Sequence, residues 1–260
     1  MPHPAIFQPL GKPLTVLSSV DSTNNYAMAQ VRSGLAGHGA AWLAMEQTAG
    51  RGQRGKTWVT NPGDNLLLSI ALQTSALPAG SQFLLSAAIA LGCYDFFKIH
   101  AGDETRVKWP NDLYWRDRKA AGILIENRHL AKGEDSGPEG AWSWAIAGMG
   151  ININQTSFAE GVRNPVSLKQ ITGKDFDVLV LTKDLCTRLS HRWEQLVNGD
   201  AQSLLTDYRQ ALYKLGETVR LKKDSRIFET TITGVSSDGR LLTRDTLERQ
   251  FSVGEIEWVF

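Results

Sequence analysis

Asn65-Leu66-Leu67-Leu68-Ser69-Ile70-Ala71-Leu72-Gln73 is the stretch on which the fold turns. Its residues are mostly apolar, and the turn residues Asn61-Pro62-Gly63-Asp64 stand directly before it, so it predicts a buried strand. Upstream, Ala40 to Met45 is a shorter apolar run and predicts a second strand. Downstream, Ser81 to Ile99 is apolar on most faces and too long for a strand, which predicts a buried helix. Thr105–Trp109, Ala121–Asn127 and Trp142–Ile153 predict three more strands, the last two joined by a polar hairpin loop, Lys132-Gly133-Glu134-Asp135-Ser136-Gly137-Pro138. Towards the N-terminus, the side chains of Asp21-Ser22-Thr23-Asn24 suit the N-cap of a helix that stops near Gly34. Towards the C-terminus the pattern changes twice. Leu181, Leu185, Leu189, Trp193 and Leu196 recur at helical spacing, and Leu204, Leu205, Tyr208 and Leu212 predict a second helix. After Gly216 come short strand-like runs with a turn at Asp238-Gly239, enough chain for a small β-barrel.

The chain has 260 residues, which fits a large domain with a small β appendage; we divide it at 1–213 and 214–260. A hydrophobic fraction of 42% and a charged fraction of 21% exclude disordered and fibrous classes. With 28 basic and 27 acidic residues the formal charge is +1, so no bulk charge favours duplex DNA or an anionic membrane. Cys93 and Cys186 stand far apart, without a CxxC pair, which argues against a disulfide scaffold or a cysteine zinc site. No apolar run approaches the ~18 residues of a membrane span. Met1-Pro2-His3-Pro4-Ala5 lacks the pattern of a signal peptide. The expectation is a soluble cytoplasmic protein with no DNA or membrane partner and no metal site built from its own side chains.

Four segments carry chemistry. In Glu46-Gln47-Thr48-Ala49-Gly50-Arg51-Gly52-Gln53-Arg54-Gly55-Lys56-Thr57-Trp58, closely spaced glycines let backbone N–H groups approach an anion, and Arg51, Arg54 and Lys56 add three cations. The spacing is neither a Walker A loop nor a GxGxxG fingerprint; it reads as a cationic lid over a phosphorylated ligand, or as a solvated hairpin. Val107-Lys108-Trp109-Pro110-Asn111-Asp112 reads as a strand that presents Asn111 and Asp112 at its tip, or as a plain turn. In Arg118-Lys119-Ala120-Ala121-Gly122-Ile123-Leu124-Ile125-Glu126, Lys119 stands just before a buried strand, where it can reach an anion or simply occupy a turn. In Ala147-Gly148-Met149-Gly150-Ile151-Asn152-Ile153-Asn154, alternate glycines bare one face of a strand for something flat or bulky.

Taken in order, these segments and Ser22-Thr23-Asn24 resemble the biotin–protein ligase family, from about Leu14 to the C-terminus. The resemblance implies an α+β fold: a class II aminoacyl-tRNA synthetase-like mixed sheet with flanking helices, followed by a small SH3-like β-barrel. It implies that biotin and ATP, with Mg²⁺, form biotinyl-5′-AMP, and that a lysine of a biotin carboxyl carrier protein then takes the biotin. By resemblance Lys119, Arg51 and Asp112 are catalytic. Ser22, Thr23, Asn24, Gln47, Arg51, Gly52, Gln53, Lys119, Gly122 and Gly148 surround biotin; Gly50, Arg51, Arg54, Lys56, Trp58, Lys119 and Asn152 surround ATP. The family includes monomers and dimers, so a homodimer is compatible. Two departures stand out. Many members read GRGR where this chain reads Gly50-Arg51-Gly52-Gln53, and Pro165 stands near the place where some members carry an adenine-side tryptophan. Three rival readings stand beside it: a lipoate or octanoate ligase or transferase, some of which use a nucleophilic cysteine; a repressor with a helix-turn-helix, for which about 20 residues before Ser22 leave no room; and a biotin-binding module without catalysis.

Overall fold

The computed structural model describes residues 8–78, 80–129, 140–159 and 164–260. The expected connector 132–138 lies outside them. The elements run β1 (Leu14–Leu17), α1 (Thr23–Arg32), β2 (Ala41–Ala44), β3 (Leu66–Gln73), α2 (Gln82–Ala101), β4 (Thr105–Lys108), β5 (Asp112–Trp115), β6 (Arg118–His129) and β7 (Trp142–Ile151). Then follow α3 (Leu168–Thr172), α4 (Val178–Val197), α5 (Ala201–Gln210), β8 (Thr218–Lys223), β9 (Arg226–Val235), β10 (Leu241–Arg244), β11 (Glu248–Phe251) and β12 (Glu257–Val259).

The first seven strands form one mixed sheet in the order β1-β2-β3-β7-β6-β5-β4. Among the described residues, β1 and β2 are the only neighbouring strands that pair in parallel. The stretch at 65–73 is the central β3: buried from Leu66 to Leu72, it pairs antiparallel with both β2 and β7. The helix expected over 81–99 is α2, whose Leu85, Ile89, Phe96 and Phe97 are buried in the main core. Contrary to expectation, this helix is long and apolar enough to cross a membrane; here 56% of its apolar window is buried in the molecule, where α4 and α5 flank it. Gly92 makes the close approach: a Cβ there would lie 3.0 Å from Leu189 Cα on α4. The last five strands form a separate antiparallel sheet, β11-β10-β9-β8-β12, with Ser236–Arg240 closing the turn between β9 and β10. Trp109 Nε1 donates to the Gly239 carbonyl at 2.9 Å, so this unit is tied to the large sheet by a buried hydrogen bond.

Candidate active site

A cavity of about 860 Å³ opens between the β6–β7 face, the start of α1, the 50–58 loop and the edge of the C-terminal sheet. Its polar end lies at α1. Ser22 precedes the helix in extended conformation (φ −156°, ψ 133°), yet its hydroxyl caps no helix N–H, which corrects the expectation of a side-chain cap. Gln47 serves instead: its Oε1 accepts from Thr23 N at 2.8 Å and from Thr23 Oγ1 at 3.0 Å. A parallel bridge between Val20 and Gln47 brings it there. Ser22 is thereby left to line the cavity. Ser69 Oγ from β3 lies 2.7 Å from Thr23 Oγ1 and 2.6 Å from Asn24 Oδ1, and Asn24 Nδ2 donates to the Leu124 carbonyl and to Glu126 Oε2. Buried hydroxyl and amide groups tied this closely hold one arrangement and give a ligand matched donors and acceptors.

The floor is bare backbone. Gly122 and Gly150 are partners on β6 and β7, and the Trp58 indole lies over both. A Cβ on Gly150 would stand 2.5 Å from Trp58 Cε2, and one on Gly122 3.0 Å from Trp58 Cζ3. Gly148 has Asn24 where its Cβ would be. The flat group expected over the alternate glycines is thus a residue of the protein itself. Trp58 Nε1 is buried without a hydrogen-bond partner among the described residues, a donor whose burial is costly until an acceptor arrives.

Lys119 is the second residue of β6 rather than a residue before a strand. Three positions from Gly122, it would point to the opposite face of a regular strand. The β5–β6 register slips between Leu113 and Tyr114: Leu113 pairs with Ala121, but Tyr114 pairs with Lys119. Ala120 is the extra residue of this bulge, which returns Lys119 to the face of Gly122 and Asp112. Asp112, expected at a strand tip, opens β5, and its Oδ1 lies 2.6 Å from Lys119 Nζ. Asn111 serves the backbone: its Nδ2 donates to the Ile123 carbonyl at 2.7 Å.

The 50–58 loop is a short hairpin, closed by bonds from Gly52 N to Lys56 O and from Trp58 N to Gly50 O. Its cations are unequally engaged. Arg51 donates to both oxygens of Glu126, at 2.8 and 3.1 Å, and to Asn25 Oδ1. The side chains of Arg54 and Lys56 make no hydrogen bond or ion pair among the described residues. Lys108 is buried, with Nζ 5.0, 5.1 and 5.4 Å from the ring centroids of Tyr114, Trp258 and Phe260.

The structure brings Ser22, Thr23, Asn24, Gln47, Arg51, Gly52, Gln53, Arg54, Lys56, Trp58, Asp112, Lys119, Gly122 and Gly148 to this one cavity. Gly50 and Asn152 do not line it. Gly50 is buried where the two ends of the hairpin cross, with no room for a side chain beside the Trp58 carbonyl. Asn152 is 4% exposed and donates to the Lys119 and Val166 carbonyls, so it positions the segment beside β6. Pro165 pairs with Lys119 and lies outside the cavity as well; residues 160–163 of its segment lie outside the described residues. Sequence reasoning missed Lys108, Trp109 and a whole wall from the C-terminal sheet: Val253, Gly254, Ile256, Glu257, Trp258 and Phe260. No local signal marks that wall, because it is made by the docking of one sheet on another.

Joining a carboxylate to a nucleotide phosphate requires a polar pocket for the acid and fixed cations for the phosphate in one enclosure. The cavity on this mixed sheet has both parts. The family model described as biotin/lipoate A/B protein ligase matches residues 16–135. The bifunctional ligase/repressor BirA of Escherichia coli (strain K12) is 37% identical over 250 residues, covering 95% of this chain and 74% of its own length. The biotin–[acetyl-CoA-carboxylase] ligase of Paracoccus denitrificans is 32% identical over 245 residues, covering 90% of this chain and 95% of its own. The structure of the biotin protein ligase from Aquifex aeolicus in complex with biotin and ATP aligns with a TM-score of 0.77 at 25% identity, over 95% of this chain and 98% of that one. The chain belongs to the biotin/lipoate A/B protein ligase family.

Proposed function

We propose that this enzyme activates biotin with ATP and transfers it to a lysine of a biotin carboxyl carrier protein. The observation that carries this reading is the meeting, in one cavity, of the polar cluster at α1 with Lys119, Arg51, Arg54 and Lys56. In the first step a biotin carboxylate oxygen attacks the α-phosphorus and pyrophosphate leaves. Two anions must approach, and Lys119 is placed to offset their repulsion once they draw its ammonium from Asp112. Arg51 can exchange Glu126 for the phosphate and close the hairpin over the adenylate. In the second step the neutral ε-amine of the carrier lysine attacks the acyl carbon, AMP leaves, and the amine gives up a proton. Asp112, released from Lys119, is the carboxylate we place to orient that amine.

The described residues contain no cluster of three or more histidine, cysteine or acidic side chains, and Asp112 and Glu126 each face a cation. Mg²⁺ therefore enters this reading on the phosphates of the nucleotide, where it would neutralise the leaving pyrophosphate. We assign residues 1–213 to a class II synthetase-like catalytic domain and the five-stranded sheet of 214–260 to an SH3-like barrel. Two free, buried cysteines suit a reducing cytoplasm. The test is mass-spectrometric detection of biotin on a purified carrier domain. The mass increment is expected only with ATP present; its absence with ATP, biotin and carrier all supplied overturns the reading.

A further inference from the structure

The C-terminal sheet forms part of the cavity through the turn that joins β11 to β12. That turn is closed by Glu255 N donating to the Ser252 carbonyl, and it holds Gly254 at φ 99°. Across the cavity, the lid hairpin carries Arg54 at φ 57°, followed by Gly55 at φ 72°. Left-handed backbone at a non-glycine residue is sparsely populated, and where it persists it directs a side chain. Here it sends Arg54 to the turn. The guanidinium takes the space in which any side chain on Gly254 would begin: a Cβ built there lies 2.5 Å from Arg54 Cζ and closer still to Nη2.

Position and charge are separately provided for. Arg51 and Lys119 each face a carboxylate that an incoming anion must displace. Arg54 is held in place by shape alone, with no carboxylate on it among the described residues, so its charge remains available to the cavity. We infer that Gly254 is a positioning residue for nucleotide binding. By lacking a side chain it seats Arg54 over the cavity, where the guanidinium receives the phosphate chain, and the small C-terminal sheet becomes a working wall of the ATP site. This rests on the adenylate-forming reading above.

Gly254→Ala tests it, because the nearest atoms it meets are the movable end of Arg54. Gly216→Ala is the control: its φ is 78°, so the backbone strain is similar, but none of the described residues lies within 4 Å of the added Cβ. Binding of a non-hydrolysable ATP analogue is measured by calorimetry at saturating biotin, and biotin binding is measured alone. Gly254→Ala and Arg54→Ala should each weaken analogue binding roughly tenfold, as expected for one charge-assisted contact. The double variant should be no worse than either single, since both remove one interaction. Biotin affinity should stay at the parent value, as should analogue binding by Gly216→Ala. Parent-like analogue binding by Gly254→Ala, additive losses in the double variant, or an equal loss in Gly216→Ala would each overturn the inference. Arg54→Lys leaves the turn untouched and serves if Gly254→Ala melts early. It should lose most of the affinity, because an ammonium cannot lie flat against the turn, and full retention also overturns the seat. Failure of the functional reading looks different: the parent itself would form no biotinyl-AMP.

Discussion

The floor and the lid of the cavity face the same space but are built on opposite terms. The floor is β6 and β7, a sheet ladder whose glycines leave room for Trp58 and Asn24 and whose edge carries Lys119. The lid is an exposed hairpin closed on itself by a few backbone bonds and tied down through Arg51, whose partner Glu126 lies on the floor. A floor fixed by a sheet ladder holds its groups in place whether or not ligand is present. A cationic lid depends on the ligand to hold it down. Variants of the floor should therefore damage binding or chemistry outright, whereas variants of the lid should damage retention.

The largest effect is expected at the β6 lysine. Lys119→Ala should slow biotinyl-AMP formation by about 10²–10³, the usual cost of one preorganised charge. Its melt should stay close to that of the parent, because Lys119 fills no core space. An unchanged rate in a folded variant would remove Lys119 from the chemistry. Gly148→Ala comes next. The new methyl meets Asn24, which must give up contacts to Ser69 or Glu126, so biotin affinity should fall about 30-fold or more. Calorimetry that finds unaltered biotin affinity would show that the floor tolerates what the geometry forbids.

On the lid, Arg51→Gly should leave the first step largely working while biotinyl-AMP escapes several-fold faster. With serum albumin in the reaction, the variant should label bystander lysines that the parent spares. Equal albumin labelling and equal adenylate dissociation would mean that Arg51, despite its hold on Glu126, is no latch. Neither region should involve the cysteines. Burial pushes the Cys186 thiol up to about 12 and raises that of Cys93 as well, so both stay protonated at every pH below that range. Iodoacetamide at pH 8 should modify neither in the folded protein, and activity should survive Cys186→Ala. Rapid alkylation of the native enzyme, with loss of activity, would revive a nucleophilic cysteine.

How far each region was legible in the sequence follows from how local its causes are. The strand at 65–73 and the helix at 81–99 announce themselves because burial on all sides leaves a continuous apolar run. β1 does not: Leu14–Leu17 is four residues at a sheet edge, half of them exposed, and nothing in so short a run separates it from a loop. α3 is short too, but its signal was present, since Ser167 and Gln170 form a reciprocal capping box. The residue types of the site were readable because glycine, arginine and lysine stand together. Which of them face the cavity was less so. Asn152 looks like a ligand contact in the motif and proves to hold backbone carbonyls, while Gly254, Trp258 and Phe260 reach the cavity from a sheet that starts a hundred residues after Lys119.

The bulge at Ala120 has a consequence for how such motifs should be read. Without the bulge, with Ala120 taking a regular place in the ladder opposite Tyr114, Lys119, Gly122 and Glu126 would keep their order and spacing, and a pattern search would still accept the chain. In the sheet, however, parity would change: the lysine would turn through half a circle into the core, and the enzyme would lose its cation without losing its lysine. A sheet thus has a reading frame of period two, and a single inserted residue sets it for the whole active face. Alignments of distant relatives that slide one gap along this segment would misassign function while matching nearly every letter.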